Sequence, residues 1–508
     1  MTGVSSRIWG RIGRWCLNRL KRMVVIVMLL ALVTTIVGFV FLFLNTSNLS
    51  SYLVPTLSRN RAQAVVTLDE DGVMRQKRPM VQFYPDNQNK LLFRKSHSTR
   101  PEFLSKPHRI VGKRENGKSN PSYEQLAKEW VVQPPRTRSQ RLASKKKSED
   151  EVSYDIHVFY YGWYTNPSLD GEYSHWNHAY LPNWNQRDHK QYPTGHHNPV
   201  NDDLGSNFYP ELGAYSSFDP KIIVEHMKQI KSSGAGVLSV SWYPPGLADE
   251  NGKPSDSLIP TLLDAAQLAG LKVCLHVEPY NNLNVTNFRQ FIQYVRDHYW
   301  DHPAFYKRKV GFRELPMFYI YDSYRIPSSE WQRLFSRKGD LSVRDTDLDA
   351  IFIGLIVELQ HRGEIKRGKF DGFYTYFAAN GFSFGSSFKN WKNLNDYAQK
   401  NSLLFIPSVG PGYIDTRIRP WNGQTIRDRR NGEYYALGWR TLLRFMPKTV
   451  SITSFNEWHE GTQIEKAVAK QTKDGSYEYC SYEPQPSNFY LSETRRHVET
   501  YLKLRKDF

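Results

Sequence analysis

Lys272-Val273-Cys274-Leu275-His276-Val277-Glu278-Pro279 is an apolar run that closes on an acid and a proline. Strands buried on both faces read as such continuous runs, and proline stops the strand where the acid emerges. Working outward from it, runs of the same kind fall at 155–161, 236–242, 316–321, 351–356, 370–376, 403–409 and 449–455. The run at 351–356 also fits a helix. Between the runs, amphipathic spacing predicts helices over 219–233, 258–270, 286–299, 328–337, 358–366, 387–400 and 434–445, with a last one at 490–504. Eight strands each followed by a helix predict an α/β fold of the (β/α)8 TIM-barrel type, with an open doubly wound sheet as the alternative.

The 508 residues carry a formal charge of +18, which taken whole suggests a polyanion partner. Divided by region, the suggestion disappears. Residues 1–22 hold six cations and no acid, 23–44 hold no charge, 45–151 hold 21 Lys/Arg against 11 Asp/Glu, and 152–508 are left nearly neutral. A catalytic body without a basic footprint argues against nucleic acid. The 22-residue run from Met23 to Leu44 extends about 33 Å as a helix, enough to cross a hydrocarbon core of about 30 Å. With its cations on the N-terminal side, it reads as a signal anchor: cytosolic tail 1–22, transmembrane helix 23–44, and a type II single-pass topology with everything after Leu44 in the lumen. Residues 45–151 lack any apolar period and read as a largely disordered basic stem, leaving 152–508 as the catalytic barrel. Cys16 is cytosolic by this topology, so only Cys274 and Cys480 could pair, and Cys274 lies in a strand where a free buried thiol is expected. Sequons stand at Asn45, Asn48 and Asn284.

In a (β/α)8 barrel the chemistry gathers at the C-terminal strand ends. There the sequence places Tyr160, Tyr161 and Trp163; Trp242 and Tyr243; His276, Glu278 and Tyr280; Tyr319, Tyr321, Asp322 and Tyr324; Tyr374 and Tyr376; and Asn456, Glu457, Trp458, His459 and Glu460. The first loop, about 162–218, is far longer than a connection requires and is rich in Trp, His, Tyr and Asn. Aromatic faces stack on sugar C–H faces, and carboxylates bond hydroxyls, so this mouth reads as a carbohydrate site. Glu457 and Glu460, three residues apart, would share one face of a helical turn after Phe455 and supply the two carboxyls that glycosidic cleavage needs. Their shared field should raise one pKa and leave the other carboxyl ionised.

Other chemistries are weaker. Asp345-Thr346-Asp347 and Asp69-Glu70-Asp71 fit the Asp-x-Asp pattern of a Golgi type II glycosyltransferase, but no phosphate cradle accompanies them. His175, His178, His189, His196 and His197 have no ligand spacing, so no metal and no cofactor is expected. A noncatalytic lectin-like barrel would lack one of the two acids, and both are present.

Phe159-Tyr160-Tyr161-Gly162-Trp163-Tyr164, Ser241-Trp242-Tyr243-Pro244-Pro245-Gly246, His276-Val277-Glu278-Pro279-Tyr280, Phe318-Tyr319-Ile320-Tyr321-Asp322-Ser323-Tyr324, Asp371-Gly372-Phe373-Tyr374-Thr375-Tyr376-Phe377 and Asn456-Glu457-Trp458-His459-Glu460-Gly461 resemble glycoside hydrolase family 99 across about residues 154–485. The resemblance implies a retaining endo-α-1,2-mannosidase of the Golgi that cuts glucosylated high-mannose N-glycans and releases a glucosylated mannose. It implies a route through a 1,2-anhydro sugar, with Glu457 as the base acting on the mannose 2-hydroxyl and Glu460 as the acid and then the base. Tyr161, Trp242, Glu278, Tyr321, Tyr376 and Asn456 would bind sugar.

Overall fold

The computed structural model describes residues 151–183, 186–249 and 251–506, with the backbone of one short antiparallel pair, Thr67–Leu68 against Met74–Arg75. That pair is what is described of a separate unit spanning 1–113. The expected tail 1–22 with Cys16, the apolar run 23–44, the sequons Asn45 and Asn48, and Asp69-Glu70-Asp71 with nearly all of the stem lie outside the described residues.

Eight parallel strands form the barrel: β1 (Ser153–Tyr160), β2 (Ala235–Trp242), β3 (Lys272–Val277), β4 (Arg313–Ile320), β5 (Ile351–Leu355), β6 (Gly372–Tyr374), β7 in two halves (Leu404–Ile406 and Ser408–Val409) and β8 (Val450–Ile452). Each pairs with the next, and β8 pairs with β1, so the sheet closes on itself. Pro407 divides β7 because it has no N–H to give. The half before it pairs with β6, the half after it pairs with β8, and the Pro407 carbonyl itself accepts the Ser451 N–H at 3.1 Å. The run at 351–356, which also fitted a helix, is a fully buried strand between β4 and β6.

Helices α1 (Pro220–Ser233), α2 (Ile259–Ala269), α3 (Val285–His298), α4 (Ser328–Phe335), α5 (His361–Arg367), α6 (Trp391–Lys400), α7 (Glu433–Leu443) and α8 (Phe489–Arg505) follow the strands in turn. Local sequence sets their ends. Asp219 caps α1 ahead of Pro220, Gly234 at φ +83° ends it, and Asn284 forms a capping box with Asn287 at the start of α3. β2 is buried at every residue because the barrel interior covers one face and the helices the other. Close approach of β1 demands Gly236, where a Cβ would stand 2.5 Å from the Ser153 carbonyl oxygen. Inside the barrel polar groups pair across strands: Tyr319 Oη lies 2.7 Å from His157 Nδ1, and Tyr374 Oη 2.7 Å from His276 Nε2.

One ribbon against the barrel had no sequence expectation. Lys307–Val310 runs antiparallel to the start of β4, forming a hairpin below the barrel. At that same lower end α8 clasps the point where the chain enters. Arg495 donates to the carbonyls of Glu151, Lys231 and Ser232, and Arg505 donates to Asp155 Oδ2 at 2.6 Å. Cys274 is buried and Cys480 partly buried, and both are free thiols. Burial pushes the Cys274 thiol up to about 12.

Candidate active site

At the C-terminal mouth of the barrel lies a cavity of about 260 Å3. The strand ends supply Tyr161, Tyr243, His276, Glu278, Tyr321 and Tyr376, and the turn after β8 supplies Glu457, His459 and Glu460. The long first loop contributes Trp163, His175, His178 and Leu181.

Glu457 and Glu460 sit on a tight turn, not on the helical turn expected from their spacing. The turn is tied down at both ends. Phe455 N–H donates to the Phe159 carbonyl in β1 at 2.8 Å, Glu457 N–H to Ser454 Oγ at 2.8 Å, and Ile464 N–H to the Ser454 carbonyl at 3.0 Å. Gly461 turns at φ +59° against Ile414, where a Cβ would stand 2.7 Å from the Ile414 carbonyl oxygen. This geometry lets the Glu460 N–H donate to Glu457 Oε2 at 2.6 Å. Both carboxyls therefore reach the same cavity.

Burial, followed by the field of Glu460, raises Glu457 well above the ordinary carboxyl range. Burial likewise lifts Glu460 to about 7, with Arg419 opposing the rise and Asp415 and Glu278 adding to it. Two raised carboxyls this close titrate as a pair and hold a proton between them near neutrality. Their surroundings differ. Glu457 Oε2 is solvated by a backbone N–H, whereas Glu460 Oε2 is buried without a hydrogen-bond partner among the described residues. A carboxylate is favoured where donors or cations face it: the backbone N–H favours charge on Glu457 and the Arg419 guanidinium favours charge on Glu460, so the coupled pair shares its proton.

Opposite the pair, Glu278 Oε1 accepts from Ser241 Oγ at 2.8 Å and lies 3.2 Å from His276 Nδ1. The Tyr161 and Tyr376 hydroxyls are hydrogen-bonded to each other, and Tyr321 packs edge-on against Tyr376 and His276. Burial and the nearby carboxylates hold the Tyr161 and Tyr376 hydroxyls well above the usual phenol value, so both stay protonated. Trp163 stacks on His175 at 4.3 Å, exposing an aromatic wall. Beside it, burial and the neighbouring imidazoles hold His459 well below the usual histidine value. His178 falls to about 4, mainly through burial. His178 and His459 are thus neutral near pH 7.

Of the eight residues singled out in the sequence, Tyr161, Glu278, Tyr321, Tyr376, Glu457 and Glu460 line one cavity. Trp242 and Asn456 do not. Trp242 is 1 % exposed and donates through Nε1 to Asp256 Oδ1 at 2.8 Å. Asn456 is fully buried, with its amide spent on the Tyr161 backbone: Nδ2 donates to the carbonyl and Oδ1 accepts the N–H, each at 2.8 Å. An apolar strand end needs a partner for a buried amide, and the start of the next loop provides it. Asn456 thereby fixes Tyr161 instead of facing the cavity.

Arg419 also lines the site and was not anticipated. Its Nη1 is 3.1 Å from Asp415 Oδ2 and 3.9 Å from Glu460 Oε1. Burial works against its charge, but Tyr413, Asp415 and Glu460 hold its pKa above the usual arginine value. The signal for it was the length of the loop after β7. Asp249 and Asn251, from the loop after β2, also line the cavity, as do Pro279 and Ile418.

The rival constellations are otherwise engaged. Asp345 pairs with Arg313 and Arg337, and Asp347 with Arg296, at the surface. His197 lies 2.7 Å from Asp203 and 2.8 Å from the Arg417 carbonyl oxygen, while His196 is exposed and bonded to the Asn177 carbonyl. No group of three or more His, Cys, Asp or Glu suited to a metal occurs among the described residues.

The model of glycosyl hydrolase family 99 matches residues 151–503. A glycoprotein endo-alpha-1,2-mannosidase of Xenopus laevis is 54% identical over 352 residues, covering 69% of this chain and 78% of the relative. Its counterpart in Rattus norvegicus is 50% identical over 381 residues, covering 74% and 80%. The solved structure of a GH99 endo-alpha-mannosidase from Bacteroides thetaiotaomicron superposes with a TM-score of 0.64 at 46% identity, covering 70% of this chain and 99% of that one. With a closed barrel, a paired-carboxylate turn at its mouth and a family match over the whole barrel, the chain belongs to glycoside hydrolase family 99.

Proposed function

We propose that the chain is a retaining endo-α-1,2-mannosidase acting on glucosylated high-mannose N-glycans of glycoproteins and releasing a glucosylated mannose. The observation that carries this reading is the Glu457–Glu460 turn, which presents two carboxyls of unlike surroundings to one aromatic-walled cavity. Tyr161, Glu278, Tyr321 and Tyr376 bind the sugar there, and Trp242 and Asn456 support it from behind. No cofactor is required.

In the first step Glu457 takes the proton of the mannose 2-hydroxyl, and O2 attacks the anomeric carbon as the bond to the departing oxygen breaks. Glu460 protonates that oxygen, leaving a 1,2-anhydro sugar. In the second step Glu460, now a carboxylate, takes a proton from water. The water oxygen bonds to the anomeric carbon, the epoxide C1–O2 bond breaks, and O2 recovers its proton from Glu457. Two inversions give overall retention. A protonated Glu460 beside a backbone-solvated Glu457 is the state this sequence of transfers starts from.

For the setting we infer, from the apolar run and its cations, a single-pass type II protein anchored through residues 23–44 with the basic stem 45–151 holding the barrel in the lumen, and, from the family resemblance, the Golgi membrane. The test is incubation of the protein with glucosylated high-mannose glycan beside its Glu457→Gln and Glu460→Gln variants. Release of a glucosylated mannose by the parent and loss in both variants is expected; full activity in either variant would overturn the assignment.

A further inference from the structure

Behind the cavity lies a buried polar chain that the proposed chemistry does not use. Glu465 is fully buried. Its Oε1 is 3.2 Å from His226 Nε2, and His226 Nδ1 is 3.0 Å from Tyr160 Oη. Its Oε2 accepts from Tyr215 Oη at 2.9 Å and from Trp458 Nε1 at 3.1 Å. The Tyr215 hydroxyl in turn accepts from Asn456 Nδ2 at 3.3 Å and from Trp458 Nε1 at 3.2 Å. One carboxylate, directly and through one phenol, thus holds the residues on both sides of Glu457.

A buried carboxylate is costly, and it is retained only where its partners are complete. Holding the turn's backbone does not require it, since Phe455 and Ile464 already anchor that backbone to β1 and to Ser454. What the chain adds is orientation. Asn456, held through Tyr215, pins the Tyr161 backbone, and Tyr161 reaches into the cavity through its hydroxyl. Trp458 is fixed at its indole by Glu465 and at its N–H by the Tyr164 hydroxyl, at 3.2 Å. Glu457 lies between these two fixed neighbours. We propose that Glu465, acting with His226 through Tyr215, Asn456 and Trp458, is a positioning residue that sets the aim of Glu457 and Tyr161. Neither Glu465 nor Tyr215 lines the cavity, so neither is expected to contact sugar.

The inference rests on the mannosidase reading, and its test separates the two. Tyr215→Phe keeps the ring packing and deletes the hydroxyl that links Glu465 to Asn456. Steady-state kinetics on the full-length protein should give a kcat lowered about 10- to 100-fold, the scale of a small misalignment of reacting groups. KM should change less than kcat, within about threefold, since Tyr161 is one of several sugar contacts and Glu278, Tyr321 and Tyr376 keep theirs. Thermal melting run in parallel confirms folding. Glu465→Gln keeps an acceptor oxygen and should retain more kcat than Glu465→Leu. An active parent with an unchanged kcat in folded Tyr215→Phe overturns the positioning role alone, as does a loss of kcat that only follows the folded fraction. An inactive parent overturns the mannosidase reading and this inference with it.

Discussion

Arg419→Met isolates the electrostatics of the acid. The guanidinium lies 3.9 Å from Glu460 Oε1, and both side chains are mostly buried. Unit charges about 4 Å apart interact by about 1 kcal/mol in bulk water and about 4 kcal/mol at the effective dielectric near a protein surface. At about 1.4 kcal/mol per pKa unit this brackets a rise of about 1 to 3 units in the Glu460 carboxyl. The sign follows from charge. Removing a cation disfavours the carboxylate, so the protonated acid persists to higher pH. With Glu460 as the proposed acid, the alkaline limb of kcat/KM in the parent would belong to the carboxyl pushed up to about 7, and in Arg419→Met it should move upward by that bracketed amount. Asp415 keeps the Tyr413 hydroxyl at 2.9 Å and the Asn422 amide at 2.9 and 3.1 Å, so the loop retains its internal bonds. The assay is kcat/KM against glycan across about pH 5 to 10, where loss of a sugar contact changes the height of the curve but not the position of its limb. A limb that stays in place or moves down refutes the assignment of that limb to Glu460.

Three other perturbations read different parts of the molecule. Gly236→Ala sets a methyl group against the Ser153 carbonyl, which as backbone has little room to yield, and should destabilise the barrel by about 1–3 kcal/mol in a denaturant titration. Asn456→Ala leaves the Tyr161 backbone pair unsatisfied and should cost about 1–3 kcal/mol in the same titration while lowering kcat. Exhaustive treatment with a chelator should leave turnover undiminished, and a loss restored by adding back a divalent cation would contradict the two-carboxylate chemistry.

The barrel was legible because its strands are buried on both faces. Runs such as Val273–Val277 carry the signal in composition alone, and α1 and α3 declare their ends through Asp219, Gly234 and Asn284. Lys307–Val310 escaped because it is a polar, half-exposed ribbon with no apolar period. In the site, Glu457 and Glu460 were legible by position at a strand end, but their turn was not, since the bond from the Glu460 N–H to Glu457 depends on Gly461 packing against Ile414. Trp242 and Asn456 mark the limit of strand-end reasoning. Position places a residue near the mouth, but whether it faces the cavity or the packing behind it is decided by partners distant in sequence, Asp256 for one and Tyr161 for the other. Arg419 was hidden for the same reason, its meaning coming from carboxylates that only folding assembles around it.

The clasp at the lower end of the barrel also bears on mechanical load. A pull on the chain ahead of residue 151 would arrive at Glu151 and Asp155, which Arg495 and Arg505 join to the last helix. Force would then pass sideways into α8 and α1 instead of travelling up β1 toward Tyr161. The carboxylate pair stands at the far end of the barrel, away from that load path.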